Sequence, residues 1–415
     1  MRVATLAIGD ELLDGRSTER HGAWLSTELE ALGCEHVEHR VLGDELELIA
    51  HAISDMTERA ELLICTGGLG PTPDDLSREA LAHALKEELI QDADARAALE
   101  ARFASTGRTV GPGNLRQVFR PQSCTCIVNH EGTAPGIDGK FHDARVVLLP
   151  GPPHEMKAMF SDAVVPLLAS AGAAKTRASV QAYGLAESRA AELISEHANR
   201  EKTPLVAFKV ADSVVRADLL GERSEEVATE IERAWHPFAF GRGETSLPSA
   251  VGSILAERQA TVVTAESCTG GLLGGALSSV PGSSAFFRGG LTTYANEFKT
   301  ALLGVPEGLL KDSGAVSEQV AVVMALEAAR RLGASYALST TGIAGPDGGT
   351  EEKPVGTVWV GVCDASGAHP IAFARLFQFP GDRNRVRDRT VKSALQLLRL
   401  HLLGEETPLL WEHTA

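Results

Sequence analysis

The chain lacks the cysteine spacing that staples a secreted domain or cages a zinc ion. Its six cysteines are scattered over 415 residues, no CxxC occurs, and only Cys124 and Cys126 stand close together. That pattern excludes a disulfide framework and points to a reducing, cytoplasmic setting. Uncharged apolar runs of about 18 residues are also missing, so nothing in the sequence reads as a membrane span. Basic residues are the scarcer sign, 39 Lys and Arg against 55 Asp and Glu, for a net charge of −16. Such a balance argues against a general nucleic-acid binder, which needs clustered cations for phosphate contacts. A small phosphorylated ligand in a local pocket stays open. Neither GxxxxGK[ST] nor GxGxxG occurs, which removes the P-loop and the dinucleotide fingerprint. The first residues, MRVATLAIGDELLDG, hold one basic residue before a brief apolar run and read as a strand entering a loop, not as a signal peptide.

What is present is α/β patterning in three modules, since 415 residues exceed one ordinary core. Residues 1–170 alternate strands (3–8, 62–65, 146–149) with helical spacing (21–32, 76–90, and a helix through residue 159), the signature of an open α/β sheet. AGAAKT at 171–176 reads as a linker. Residues 177–245 give a small βαββα unit, a spacer or dimerisation module. GRGETSLPSA at 241–250 opens a third module over 250–405, with a helix at 318–332, strands at 336–339, 356–363 and 371–379, and a last helix at 384–402. The tail beyond Gly404 is expected to carry little fold.

Two stretches of the third module are too particular for packing material: AESCTGG at 265–271 and TTGIAGPDGG at 340–349. The first reads as a buried strand turning into a helix, with Glu266, Ser267, Cys268 and Thr269 at the junction. Unpaired amides at that helix start can face an anion or a developing oxyanion, and Gly270 and Gly271 allow close approach. A bland alternative is that Ser267 or Thr269 only caps the helix. The second stretch, with Gly342, Gly345, Gly348 and Gly349, should cover a ligand with its backbone. Between them YANEFK supplies Tyr294, Asn296 and Lys299, and no histidine falls in any of the three segments. A serine hydroxyl needs a base, and a lysine serves if burial lowers its pKa toward about 7–8. Cys268, at a helix N-terminus, is the competing nucleophile. Lys353 flanks the glycine loop and could meet a phosphate. The set Arg383, Arg385, Arg387 and Arg389 reads as a solvated face.

These motifs, with GAVS at 314–317 and GIAGPDGG…EEKPVGTV, cover nearly all of 251–365. They resemble the nicotinamide-nucleotide amidohydrolase family, the C-terminal part of CinA (competence/damage-inducible protein A) proteins. The resemblance implies hydrolysis of the carboxamide of nicotinamide mononucleotide to nicotinate mononucleotide and ammonia, with no metal or other cofactor. Ser267 would be the nucleophile and Tyr294 and Lys299 its activators. Thr269, Gly270 and Gly271 with the 342–349 loop would hold amide and phosphate. It also implies a homodimer.

In the first module TGGLGPTPDD at 66–75 places Gly67, Gly68 and Gly70 after a strand and ends in Asp74 and Asp75. Glycine amides can wrap a phosphate, but a phosphate beside two carboxylates calls for a cation between them. Asp10, Glu11, Asp44 and Glu155 add further oxygens at strand ends. With NLRQ (Asn114, Gln117), NHEGTAPG (Asn129) and LPGPPHEM, these motifs resemble the N-terminal CinA domain of molybdopterin-binding fold. The resemblance implies an ADP-ribose pyrophosphatase dependent on a divalent cation of the Co2+ or Mg2+ type. Relatives of that kind commonly read threonine-asparagine where this chain has Arg20 and His21, and the change falls in a site loop. A non-catalytic alternative is a molybdopterin- or nucleotide-binding accessory in competence or DNA damage, acting through protein contacts.

Overall fold

The computed structural model describes residues 1–168, 176–197, 203–211 and 213–413. All but the last residue of the expected linker at 171–176 lies outside the described residues. By their contacts the residues divide into two compact units, 1–175 and 176–415.

The first unit is built on a mixed sheet. Its strands are β1 (Arg2–Ile8), β2 (Glu35–Leu42), β3 (Leu62–Thr66), β6 (Thr125–Ile127), β7 (Gly136–Phe141) and β8 (Ala144–Leu149), with a separate small hairpin of β4 (Leu89–Gln91) and β5 (Phe119–Pro121). The order is β2-β1-β3-β8-β7-β6, parallel through β8 and antiparallel beyond it. β3 is buried along its whole length and β1 after its first residue, because helices cover both faces, as in sheets whose strands read as continuous apolar runs. Two apolar clusters result, one around Leu6, Ile53 and Leu148, the other around Leu25, Ile64 and Phe160. β2 escaped the sequence reading: EHVEHRVL is an edge strand whose first six positions alternate exposed and half-buried. The helix expected at 76–90 spans Ser77–Leu85, and Lys86 follows in the left-handed region at φ 56°. Leu89 and Ile90 then pair with Pro121 and Arg120, so tertiary pairing overrides the helical spacing.

The second unit holds two sheets. β9 (Arg177–Tyr183), β10 (Leu205–Ala211), β11 (Val214–Leu220) and β12 (Ala239–Arg242) form an antiparallel sheet ordered β10-β11-β9-β12. β12 is a strand beyond the expected βαββα unit. The sheet packs its own cluster around Trp235, Val180 and Leu219. β13 (Val262–Glu266), β14 (Phe287–Thr292), β15 (Tyr336–Gly342), β16 (Thr357–Asp364) and β17 (Ile371–Gln378) form the other sheet, ordered β14-β13-β15-β16-β17. The helix Glu318–Leu332 begins and ends where the sequence places it, stopped by left-handed Gly333. The last helix runs from Arg383 to Leu403. It joins the two sheets: the Tyr183 hydroxyl lies 3.0 Å from the Arg389 carbonyl and from Ser393 Oγ, and Arg399 donates to the carbonyls of Pro237 and Ala239.

The tail corrects the expectation of little fold. Leu409 is buried in the main cluster, Leu410 N donates to the Gly184 carbonyl, and Gln378 N donates to the Trp411 carbonyl. The Arg389 guanidinium lies 4.5 Å over the Trp411 ring. PLLW supplies apolar bulk too short to show a period, which is why the sequence hid it. Among the described residues no helix is long and apolar enough to cross a membrane.

Candidate active sites

In the third module β13 is flanked by β14 on one side and β15 on the other, both parallel to it. The chain therefore leaves the centre of the sheet in opposite directions, and the crevice at the carboxyl ends of these strands is where such folds place ligands. AESCTGG follows β13, YANEFK follows β14 and GIAGPDGG follows β15, so all three motifs meet there.

Ser267 is the first residue after β13, and its amide donates to the Thr340 carbonyl at 2.9 Å, an extension of the β13–β15 ladder. Gly270 and Gly271 turn the chain through positive φ (60° and 96°) into the helix Leu272–Ser278. Lys299 stands in the first turn of the helix Asn296–Leu303 and is only 1% exposed. Its Nζ lies 3.0 Å from Ser267 Oγ, 2.9 Å from the Thr293 carbonyl and 3.1 Å from the Tyr294 carbonyl. Burial lowers its pKa below the ordinary lysine value, because the charged form loses solvation. In the neutral form two N–H bonds serve the two carbonyls and the lone pair faces the serine hydroxyl.

The other expected residues take different places. Glu266 is buried and serves the helix start: its carboxylate accepts from the amides of Gly271, Leu273 and Gly274 at 2.9, 3.0 and 2.7 Å and from Thr269 Oγ1 at 2.7 Å. Those three amides are therefore committed and do not face a ligand. Thr269 Oγ1 also lies 2.7 Å from Thr340 Oγ1. Cys268 is buried, which pushes its thiol up to about 12, so it is not a thiolate at neutral pH. The Tyr294 side chain is 56% exposed, and its hydroxyl accepts from Arg383 Nη2 at 2.8 Å rather than meeting Ser267 or Lys299. Asn296 is exposed at its helix start. Lys353 donates to the carbonyls of Ser313 and Val316 at 3.2 and 2.8 Å, anchoring the GAVS segment. In the glycine loop, a Cβ on Gly342 would meet Val358 at 2.6 Å, and Cβ atoms on Gly345 and Gly349 would meet Val355 at 2.6 and 2.8 Å. Gly348 adopts φ 87°. These glycines let the loop lie flat on the 355–358 backbone.

The arginine set is not simply a solvated face. Arg383 Nη1 donates to the Gly345 carbonyl and Arg387 Nη2 to the Thr269 carbonyl, both at 2.8 Å. Arginines recur at every second position there, which hides that 383 and 387, four apart, share a helix face.

In the first unit the order β2-β1-β3 makes the same kind of switch, and the loops after β1 and β3 border a cavity of about 790 Å3. Gly67, Gly68, Gly70, Glu11, Asp44, Asp74, Asp75, Glu155, Gln117, Arg20 and His21 line it. A Cβ on Gly67 would strike the Ile8 carbonyl at 2.1 Å, so only glycine lets the loops close. Asp10 and Asp44 each accept from the other's amide, at 3.0 and 2.9 Å. Asp75 accepts from the Thr72 amide at 2.8 Å, and Glu155 from Asn129 Nδ2 at 2.6 Å. Asn129 also caps the loop amides of Glu131 and Gly132, and Asn114 reaches Gln117 at 3.5 Å. His21 Nδ1 lies 3.2 Å from Thr66 Oγ1, and burial lowers its pKa. The Asp44 carboxyl is raised by burial, with Asp10, Glu11 and Asp74 adding repulsion. This all-oxygen donor set fits a hard divalent cation in its chemistry. It is not a preformed cage, since among the described residues no three His, Cys, Asp or Glu side chains converge to hold a metal ion.

Fold and sites together define a multi-domain α/β protein with a candidate site at the carboxyl ends of strands in each unit. Residues 4–170 match the family described as "Probable molybdopterin binding domain", and residues 244–402 match "CinA C-terminal domain". Along its whole length the chain is similar to a CinA-like protein of Frankia casuarinae, 39% identical and covering 97% of each chain. A CinA-like protein of Citrifermentans bemidjiense is likewise 39% identical, over 98% of this chain and 99% of its own. Among solved structures, the competence/damage inducible protein CihA of Agrobacterium tumefaciens is 39% identical over 38% of this chain and 93% of its own, with a TM-score of 0.36. The chain belongs to the CinA family.

Proposed function

We propose that the protein hydrolyses the carboxamide of nicotinamide mononucleotide, releasing ammonia and nicotinate mononucleotide. The observation that carries this reading is the buried Ser267–Lys299 pair, 3.0 Å apart, with the amine held by two backbone carbonyls. Neutral Lys299 takes the Ser267 proton as Oγ bonds to the amide carbon. The resulting ammonium then gives that proton to the departing nitrogen as the C–N bond breaks, and ammonia leaves. Water, its proton taken by the same amine, hydrolyses the acyl-serine ester and restores the hydroxyl. The Thr269 amide has no hydrogen-bond partner among the described residues, and because Thr269 is fully buried it would serve as a donor for the oxyanion once the turn opens to substrate.

Ammonia release tests the assignment. Ser267→Ala lowers it by about 10⁴-fold or more, as loss of a nucleophile does elsewhere, while Cys268→Ser keeps turnover. Equal rates for Ser267→Ala and the unaltered protein would sink the mechanism and leave the binding-protein reading.

The first unit supports a second activity, hydrolysis of the ADP-ribose pyrophosphate. A cavity of about 790 Å3 lies within the usual range for sites that bury a ligand of this class. Asp44, Asp74 and Glu11, which do not converge in the structure, would turn toward a divalent cation that would neutralise phosphate charge when bound. His21, next to Thr66 and kept neutral by burial, offers a proton donor or acceptor at the same wall.

A further inference from the structure

A nucleotide bound at Ser267 brings a phosphate dianion that needs cationic partners, and most obvious ones are already engaged. The helix-start amides serve Glu266, Lys299 is buried with its charge disfavoured, and Lys353 holds two carbonyls of another loop. Two guanidinium groups at these segments, Arg383 and Arg387, are also engaged, yet each keeps N–H groups to spare beyond the bonds it makes.

Each guanidinium spans segments of the site. Arg383 joins the glycine loop, through the Gly345 carbonyl, to the YANEFK segment, through the Tyr294 hydroxyl. Arg387 reaches the nucleophile turn through the Thr269 carbonyl, and its Nη2 would stand 3.4 Å from a Cβ on Gly270. Its Nε is buried without a hydrogen-bond partner. A buried donor left unmade is costly, and a guanidinium carries five N–H groups in a fork that matches phosphate oxygens. The absence of a side chain at Gly270 leaves room for that fork beside the turn.

We propose that Arg383 and Arg387 form the phosphate subsite of the amidohydrolase crevice and set its preference for monophosphorylated pyridine nucleosides over the free nucleosides. This rests on the deamidase reading above. Arg385, exposed and near Asp382, lies between them in sequence and is the internal control.

Deamidation kinetics of nicotinamide mononucleotide and nicotinamide riboside, measured side by side, test it. Arg383→Ala and Arg387→Ala each lower kcat/KM for the nucleotide by about 10- to 100-fold, the usual size for a charged hydrogen bond. The riboside rate stays within about threefold, Arg387→Lys recovers part of the loss, and Arg385→Ala changes neither. Parallel loss on both substrates would make the arginines structural latches, and an unchanged nucleotide preference would remove them from the subsite; either result overturns the proposal. If the unaltered protein deamidates neither substrate, the deamidase reading fails by itself. Calorimetry with ribose 5-phosphate then decides the subsite: weaker binding by the double alanine variant supports it, and equal binding or none overturns it.

Discussion

The two units meet the same topological problem with opposite chemistry. Each places its candidate site where its strand order reverses, at β1/β3 in the first and β13/β15 in the second. The second fills its crevice with groups that have already found one another: Ser267 with Lys299, and Glu266 with three amides. The first leaves about 790 Å3 lined by carboxylates, several bonded to neighbouring amides, that share no common point. The difference separates a site whose reactivity is built into the polypeptide from one that is completed by what binds. Charge follows the same division, for Arg383 and Arg387 bond to the loops of the second site while the first cavity has an excess of acid in its lining.

The largest effect that can break this comparison is at Lys299. Lys299→Ala is expected to lower deamidation by about 10²- to 10⁴-fold, the range for a lost general base, with ADP-ribose hydrolysis unchanged. The base form is the neutral amine, so kcat/KM of the unaltered protein rises with pH through the lowered pKa. It levels off before the ordinary lysine value of 10.5. A rate flat with pH, or one still climbing beyond that value, would contradict a buried amine as base.

Metal removal comes next and acts on the other unit alone. A chelator is expected to lower ADP-ribose hydrolysis by about 10²-fold or more, since metal charge stabilisation is worth several kcal/mol, and to leave ammonia release untouched. Asp44→Asn should weaken the cation's effect in the same assay. Hydrolysis that survives chelation would mean that the acidic lining repels rather than recruits.

Stability gives a smaller contrast. Glu266→Ala strands three amides and leaves the Thr269 hydroxyl only Thr340 Oγ1, and partial hydration through the half-buried glycines softens the loss. A cost of about 2–4 kcal/mol is expected, read as a lower urea midpoint for the second unit, with Glu266→Gln losing less because one acceptor oxygen remains. The corresponding change at Asp75, which is half exposed and accepts from Thr72, should cost about 1 kcal/mol or less.

The sequence made the second site more legible than the first, for a physical reason. Ser267 and the glycines fall in short segments directly after strands, so register alone brings them together at one edge. The sequence could not show that Glu266 points inward to cap the helix, because a carboxylate at a strand end reads equally as a ligand contact. Nor could it show which of four alternating arginines face the crevice, since that depends on the phase of the helix. In the first unit β2 was hidden by its charges, and the end of the helix expected at 76–90 by a pairing to β5 that no local pattern records. The tail past Gly404 was lost likewise, as Leu409 is buried only because β9 and the last helix come together around it.

Tyr294 offers the finest test of how the built site works. The family resemblance makes its hydroxyl an activator of the serine, whereas its backbone carbonyl, 3.1 Å from Lys299 Nζ, is the atom that touches the pair. Its phenol lies outward against Arg383. Tyr294→Phe keeps the carbonyl and removes the hydroxyl, so deamidation should fall by less than about tenfold, against the 10²- to 10⁴-fold expected for a proton-transfer group. The pH profile should keep its midpoint, because the lysine keeps both carbonyl partners. A loss as large as that of Lys299→Ala would place the phenol in the reaction and require the 294–299 segment to turn inward when substrate binds, making this crevice, like its acidic counterpart, one that its ligand completes.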